Sequence, residues 1–276
     1  MTESESYLFP MLEKLIEDAS DDSIEMPSEI GRQRMLARSL MNIRQPTPIN
    51  QDLLKAQDEY LRRRNAERGV THIKDIYTAE RTLWSPIPQA NRMSVWQGDI
   101  TTLDCDAIVN AANTKMLGCF QPQCACIDNC IHTFGGMQIR LECNEKMTKL
   151  RSEYGEDYEQ PTSVPIITDA YNLPCKKIIH VAGPKVEGNV TEGMEEALFD
   201  CYTNSLDLCK ENNIESVAFC CISTGIYGFP NQRAAEIAIA AVQDWLQRNP
   251  KSVRQVIFDV FLEKDKWIYE SLLSGR

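Results

Sequence analysis

Past residue 92 the chain alternates short apolar runs with amphipathic stretches; before it, apolar positions fall at helical intervals between prolines. Strand side chains alternate faces and helical ones recur every three to four positions, so this change of rhythm marks a change of architecture. In the second region the runs at 93–97, 107–109, 166–169, 177–181, 216–221 and 255–261 predict strands. The stretches 127–145, 192–212 and 231–249 predict helices, the first with Ile131, Phe134, Ile139 and Leu141 among its apolar positions. Strands interleaved with helices predict an α/β domain with a parallel or mixed sheet.

Residues 1–90 are polar and charged, with breaks at Pro27, Pro46, Pro48, Pro86 and Pro88. Leu8, Leu12, Leu15 and Ile16 repeat at helical spacing, and Ile30, Met35, Leu36 and Leu40 do so less regularly. The stretch 51–68 carries Leu53, Leu54, Gln57 and Leu61 along one side. The expected organisation is a helical extension over 1–90 packed on an α/β domain over 91–276, with no internal repeat and no low-complexity segment.

Composition narrows the function classes. A hydrophobic fraction of 43% with 25% charged residues predicts a sizeable core. The formal net charge of -11 opposes adsorption to nucleic acid or to anionic membrane, both of which need clustered Lys and Arg. Arg62, Arg63 and Arg64 read as a solvated helix face. The first residues are acidic and lack the apolar run of a secretion signal, and no stretch approaches the roughly 18 apolar residues of a membrane span. A cytoplasmic protein is expected. The 11 cysteines are scattered and odd in number, which predicts reduced thiols and a metal site rather than a disulfide framework.

Three clusters carry candidate chemistry, each where a strand run gives way to a loop, the place at which open α/β sheets bind ligands. In Gln97-Gly98-Asp99-Ile100-Thr101, Asp99 is either a turn residue or an acceptor for an exocyclic amine such as that of adenine. In the run 106–113, Asn110 and Asn113 flank two alanines; they serve as turn residues or as donors and acceptors for sugar hydroxyls. In the run 221–230, Ser223-Thr224-Gly225 and Gly228 can turn backbone amides inward around a diphosphate, with Tyr227 and Phe229 flanking a ribose or sealing the cleft.

Together and in this order, Gly98-Asp99-Ile100-Thr101, Ala107-Ile108-Val109-Asn110-Ala111-Ala112-Asn113, Cys130-Ile131-His132 and Ser223-Thr224-Gly225-Ile226-Tyr227-Gly228-Phe229-Pro230 resemble the macrodomain family over roughly 93–261. The resemblance implies a three-layer α/β/α fold around a mixed sheet and a cleft for ADP-ribose. It implies that Asp99 holds the adenine amine with Ile100 packed nearby. Asn110 and Asn113 would face the distal ribose, and Ser223, Thr224, Gly225, Ile226 and Tyr227 would wrap the diphosphate.

One segment departs from the family pattern. Hydrolytic members commonly have a glycine run followed by an aspartate that opens the helix, whereas this chain has Cys119, Cys124 and Cys126 on a loop with Pro122, then Asp128. Three thiolates can converge on zinc and leave a fourth position open, as catalytic zinc requires. The loop resembles the zinc-containing branch, which usually supplies Cys, His and Cys; Cys124 stands in the place of the histidine. That exchange makes the ligand set more anionic and weakens the ion as a Lewis acid. A structural zinc closed by Cys130, or three unrelated thiols, are open readings, and Cys143, Cys175, Cys201, Cys209 and Cys220 read as buried or incidental.

Asp128 and His132 share a helix face. Asp128 either caps free helix amides or, by alignment with the aspartate of hydrolytic relatives, activates water. His132 and His180 read as packing residues. The combined reading is a zinc-dependent hydrolase that removes mono-ADP-ribose from modified proteins, with Zn2+ on the three cysteines, Asn113 fixing the ribose and Asp128 assisting proton transfer. An ester link to a protein carboxylate follows from the resemblance alone. The expected partners are ADP-ribose and mono-ADP-ribosylated protein. The alternatives are a non-catalytic reader of ADP-ribose and a zinc- or redox-sensing interaction module.

Overall fold

Six short strands pair into one mixed sheet in the computed structural model, which describes residues 3–275. Met1, Thr2 and Arg276, at the outer ends of the two expected regions, lie outside the described residues. The strands are β1 (Met93–Gln97), β2 (Ala107–Ala112), β3 (Ile166–Asp169), β4 (Lys177–Ala182), β5 (Ser216–Phe219) and β6 (Gln255–Val260), in the order β1-β6-β5-β2-β4-β3. All neighbours run parallel except the edge strand β3, which is antiparallel to β4. Parallel strands need coverage on both faces, and the register shows how the sequence supplies it. Val109, Phe219 and Phe258 lie in one row, under Tyr202 of α7 (Glu192–Glu211) and Tyr269 of α9 (Glu263–Leu273). Asn110 and His180 pair on the opposite face, toward α5 (Ile127–Gly135) and α6 (Met137–Tyr154). The last major helix, α8 (Asn231–Arg248), packs beside α7, with Trp245 donating to Asp207 at 2.7 Å.

The sequence reading and the structure differ mainly at five elements. The expected helix over 127–145 is two helices, because Gly136 takes a φ of 107°; a side chain there would run into Gln57 and Gln138 at 2.8 and 2.7 Å. The expected strand at 107–109 continues to Ala112, since Asn110, Ala111 and Ala112 pair with His180, Val181 and Ala182. The expected strand at 216–221 ends at Phe219. Helix α9 and the short α4 (Ala79–Leu83) were not expected: α4 buries only Ala79, and in α9 the exposed Trp267 and the buried Asp265 blur the apolar repeat of Ile268, Tyr269 and Leu273.

The first 90 residues form α1 (Glu5–Ala19), α2 (Ile30–Ile43) and α3 (Gln51–Arg68). They share a second core of Leu8, Met11, Leu12 and Leu15 with Ala37, Leu40, Met41, Leu53, Tyr60 and Leu61, closed by Met137 of α6. Each fully buried leucine there contributes on the order of 2 kcal/mol. Met35, counted among the apolar repeats, is exposed. Gln57 lies on the buried side because its side-chain carbonyl accepts from the Met137 amide at 2.8 Å, satisfying a group at the head of α6. Of the three consecutive arginines only Arg62 is fully exposed; Arg63 stacks on Tyr7 and pairs with Glu3, and Arg64 pairs with Glu67. No helix among the described residues is long and apolar enough to cross a membrane. All the cysteines are unpaired.

Candidate active site at the carboxyl edge of the sheet

Because β1, β2, β4, β5 and β6 run parallel, the loops that leave them emerge along one edge, and every candidate residue from the sequence lies there. After β1, Gly98 is required by Trp96, whose ring would lie 2.2 Å from an added Cβ. The Asp99 carboxylate accepts from the Thr101 amide at 3.0 Å and hydroxyl at 2.6 Å, and its other oxygen accepts from Arg68 of α3. Arg68 also donates to the Thr101 hydroxyl at 2.7 Å and lies 3.4 Å above the Phe134 ring. Ile100 is buried beneath this turn.

At the end of β2 the two asparagines have separate duties. Asn110 is fully buried; its amide donates to Asp128 at 2.7 Å and to His180 Nδ1 at 3.1 Å. In this conformation Asn110 faces the buried Asp128 and His180 and has no exposed atom. Asn113 is partly exposed, with its amide donating to the Gly118 carbonyl at 3.2 Å and its carbonyl accepting from Lys115. With Nδ1 accepting from Asn110, the neutral His180 carries its proton on Nε2 and donates it to the Thr168 hydroxyl at 2.9 Å. Burial holds both His132 and His180 neutral, the latter pushed down to about 3.

Asp128 does not cap α5. That position belongs to Cys126, whose sulfur accepts from the Asn129 amide at 3.4 Å. Asp128 instead points into the buried network, 3.5 Å from His132. Burial raises its carboxyl to about 6, opposed by the Asn110 amide and the Arg140 guanidinium. Arg140 is itself fixed by the carbonyls of Leu117, Met41 and Arg44.

The cysteine loop joins Asn113 to Asp128. Among the described residues, the sulfurs of Cys119, Cys124 and Cys126 lie within 4.8 Å of one another. A tetrahedral zinc with Zn–S bonds of ~2.3 Å spaces its sulfurs ~3.8 Å apart, so the three thiols fit such an ion with a small contraction. The Cys126 amide donates to Cys124 and holds that thiol below its ordinary range, while burial pushes the Cys126 thiol up. Cys130 is not in the group; its sulfur lies 3.7 Å from Arg38. Three thiols at a partly exposed loop leave a coordination position for another oxygen or nitrogen.

The loop after β5 is built around Ser223, whose φ of 65° turns the chain and whose carbonyl accepts from Phe229 at 2.9 Å. Val186 closes the loop from outside by donating to the Tyr227 carbonyl at 2.8 Å. Among the described residues, the amides of Gly225, Ile226 and Tyr227 donate to no protein acceptor, so they are free for an anion. Thr224 and Tyr227 are half-exposed, Gly225 and Ile226 exposed, and Phe229 buried, so Phe229 seals the loop from beneath.

Sequence reading missed Arg38, Asn42, Arg68, Asn129 and Arg140. The first three come from α2 and α3, more than 30 residues from the groups they hold, and no local spacing announces such a contact.

The Macro domain family matches residues 109–238. A protein-ADP-ribose hydrolase of Treponema medium is 42% identical over 276 residues, covering 99% of this chain and all of that one. A protein-ADP-ribose hydrolase of Staphylococcus aureus strain MSSA476 is 40% identical over 269 residues, covering 95% of each chain. The solved Oceanobacillus iheyensis macrodomain with ADP superposes with a TM-score of 0.58 at 34% identity, covering 66% of this chain and 90% of that one.

Proposed function

The chain belongs to the macrodomain family, and on that premise we propose that it is a zinc-dependent hydrolase removing mono-ADP-ribose from protein carboxylates. The observation that carries this reading is the convergence of the Cys119, Cys124 and Cys126 sulfurs within 4.8 Å on the loop between Asn113 and Asp128. The two relatives named as protein-ADP-ribose hydrolases support the reaction class.

In this reading Asp99 accepts from the adenine amine, held in place by Arg68 and Thr101. The free amides of Gly225, Ile226 and Tyr227 take the diphosphate, with Ser223 and Thr224 shaping the loop and Tyr227 against the proximal sugar. Asn113 orients the distal ribose, and Cys119, Cys124 and Cys126 would hold the zinc. When bound, zinc supplies Lewis-acid stabilisation of developing negative charge. Hydrolysis breaks the bond from C1″ to the ester oxygen, adds the hydroxyl of water to C1″ and leaves a free carboxyl on the protein. Asp128, near the head of α5 and held by the Asn110 amide at 2.7 Å, accepts the water proton and returns it to the leaving carboxylate. His180 in turn holds the Asn110 amide that orients this carboxylate.

Release of ADP-ribose from a mono-ADP-ribosylated carboxylate, by zinc-loaded protein and by Cys126→Ala, tests the proposal. Wild type is expected to release ADP-ribose and the variant to lose activity; equal activity in both rules out the zinc mechanism. A reader function draws on the all-thiol ligand set, which weakens the ion as a Lewis acid. Tight ADP-ribose binding without turnover by loaded wild type would favour that alternative.

A further inference from the structure

We infer that Arg38, on the second helix of the N-terminal extension, is a positioning residue for the metal loop, so that the extension is a working part of the site. The inference rests on the zinc reading above. The loop over 113–126 contains no helix or strand, yet it must bring three ligands to one point. Its conformation is set from outside by α2. The Arg38 guanidinium donates to the Cys124 carbonyl at 2.6 Å and, through two nitrogens, to the Asn129 side-chain carbonyl at 2.8 and 3.2 Å.

Asn129 relays the hold. It is fully buried, its side-chain amide donates to the Gln121 carbonyl at 3.0 Å, and its backbone amide donates to the Cys126 sulfur. Asn42, one helical turn beyond Arg38, donates to the same Asn129 oxygen at 3.1 Å. Gln123 grips α2 in return, donating to the Ser39 hydroxyl at 2.6 Å and to the Met35 carbonyl. Fixed on both sides of Cys124, the loop presents its sulfurs without having to be ordered by the ion, which is how preorganisation raises affinity. The arginine adds a second effect. Three thiolates and a divalent cation leave one net negative charge, and Arg38 places a cation against the loop that partly offsets it. Lysine would keep that charge and lose the fork that reaches two carbonyls at once.

The test uses the full chain, stripped of metal, titrated with zinc alone against a chromophoric chelator. Wild type, Arg38→Ala and Arg38→Lys are compared, with ADP-ribose calorimetry, thermal melting of the metal-free protein and the absorption bands of bound cobalt(II) as parallel readouts. Arg38→Ala is expected to weaken zinc binding about 10–100-fold, the usual cost of removing an outer support of a metal ligand. Its cobalt bands should lose tetrahedral character, and its ADP-ribose affinity should stay that of wild type. Arg38→Lys should fall between the two. Zinc affinity equal to wild type in Arg38→Ala overturns the inference and leaves the zinc reading standing. So does a loss of zinc that only tracks a loss of metal-free stability. Should Arg38→Ala fail to fold, Arg38→Lys decides by the same criteria. A wild type that binds no zinc overturns the zinc reading, and this inference with it.

Discussion

Arg68, in the last turn of α3, stacks on Phe134 of α5 and donates to the carboxylate of Asp99. One guanidinium thus ties the helical extension, the helix after the cysteine loop and the first strand turn together. In the proposed site Asp99 recognises adenine, so its orientation is decided by a residue outside the region that carries the family motifs. Arg68→Ala is expected to weaken ADP-ribose binding about tenfold, or ~1.4 kcal/mol. Calorimetry against wild type checks it, and an unchanged affinity would show that Thr101 alone suffices to orient Asp99.

Cys126 has two duties, a candidate metal ligand and the cap of α5. Serine keeps a cap and alanine does not. Both Cys126→Ser and Cys126→Ala are expected to lose zinc, but only alanine should lower the stability of the metal-free protein, by about 1 kcal/mol. Urea unfolding in chelator separates the two; equal midpoints would mean that the sulfur contributes nothing as a cap.

Gly183, just past β4, leaves room for the turn at Ser223. A Cβ there would lie 2.2 Å from the Ser223 hydroxyl and 2.7 Å from the Ile222 side chain. Gly183→Ala should therefore displace the start of the loop after β5, costing about 1–3 kcal/mol of stability by overpacking. ADP-ribose affinity should fall with it. Wild-type melting and binding in this variant would place the crowding elsewhere.

The buried His180 makes stability depend on pH. Burial, with Lys146 adding like-charge repulsion, holds its folded value at about 3, below the ordinary value near 6.5. Above that ordinary value both states are neutral there and the full contribution is present. As pH falls from about 6.5 toward 3, the unfolded chain takes a proton that the folded chain refuses, and stability is lost at up to ~1.4 kcal/mol per pH unit. His132 is shifted the same way and adds to the loss. Asp128, raised to about 6, works in the opposite sense: its contribution is full below the ordinary aspartate value and is lost as pH rises through about 6. Urea midpoints at several pH values between 5 and 7.5 should show a shallower decline on acidification for His180→Gln than for wild type. Parallel curves would assign the acid lability to other groups.

The strand and helix rhythm beyond residue 92, the three loop clusters and the cysteine spacing could be read directly, because each is written in neighbouring residues. Periodicity located all six strands to within a few positions, and the ordered motifs identified the family. The fate of individual side chains was a different matter. Nothing local distinguishes Asn110, buried behind Asp128, from Asn113, partly exposed on the loop; register with His180 and the approach of α5 decide it. Nor does the spacing of Cys126 and Asp128 reveal which one caps the helix. The parts played by Arg38 and Arg68 were invisible for the same reason. The sequence by itself determined which segments fold and which loops carry chemistry, because secondary structure and motif follow from short-range pattern. Only the tertiary structure decided how the extension grips those loops, because hydrogen bonds between residues 31 to 91 positions apart depend on how helices pack, not on what stands beside them in the chain.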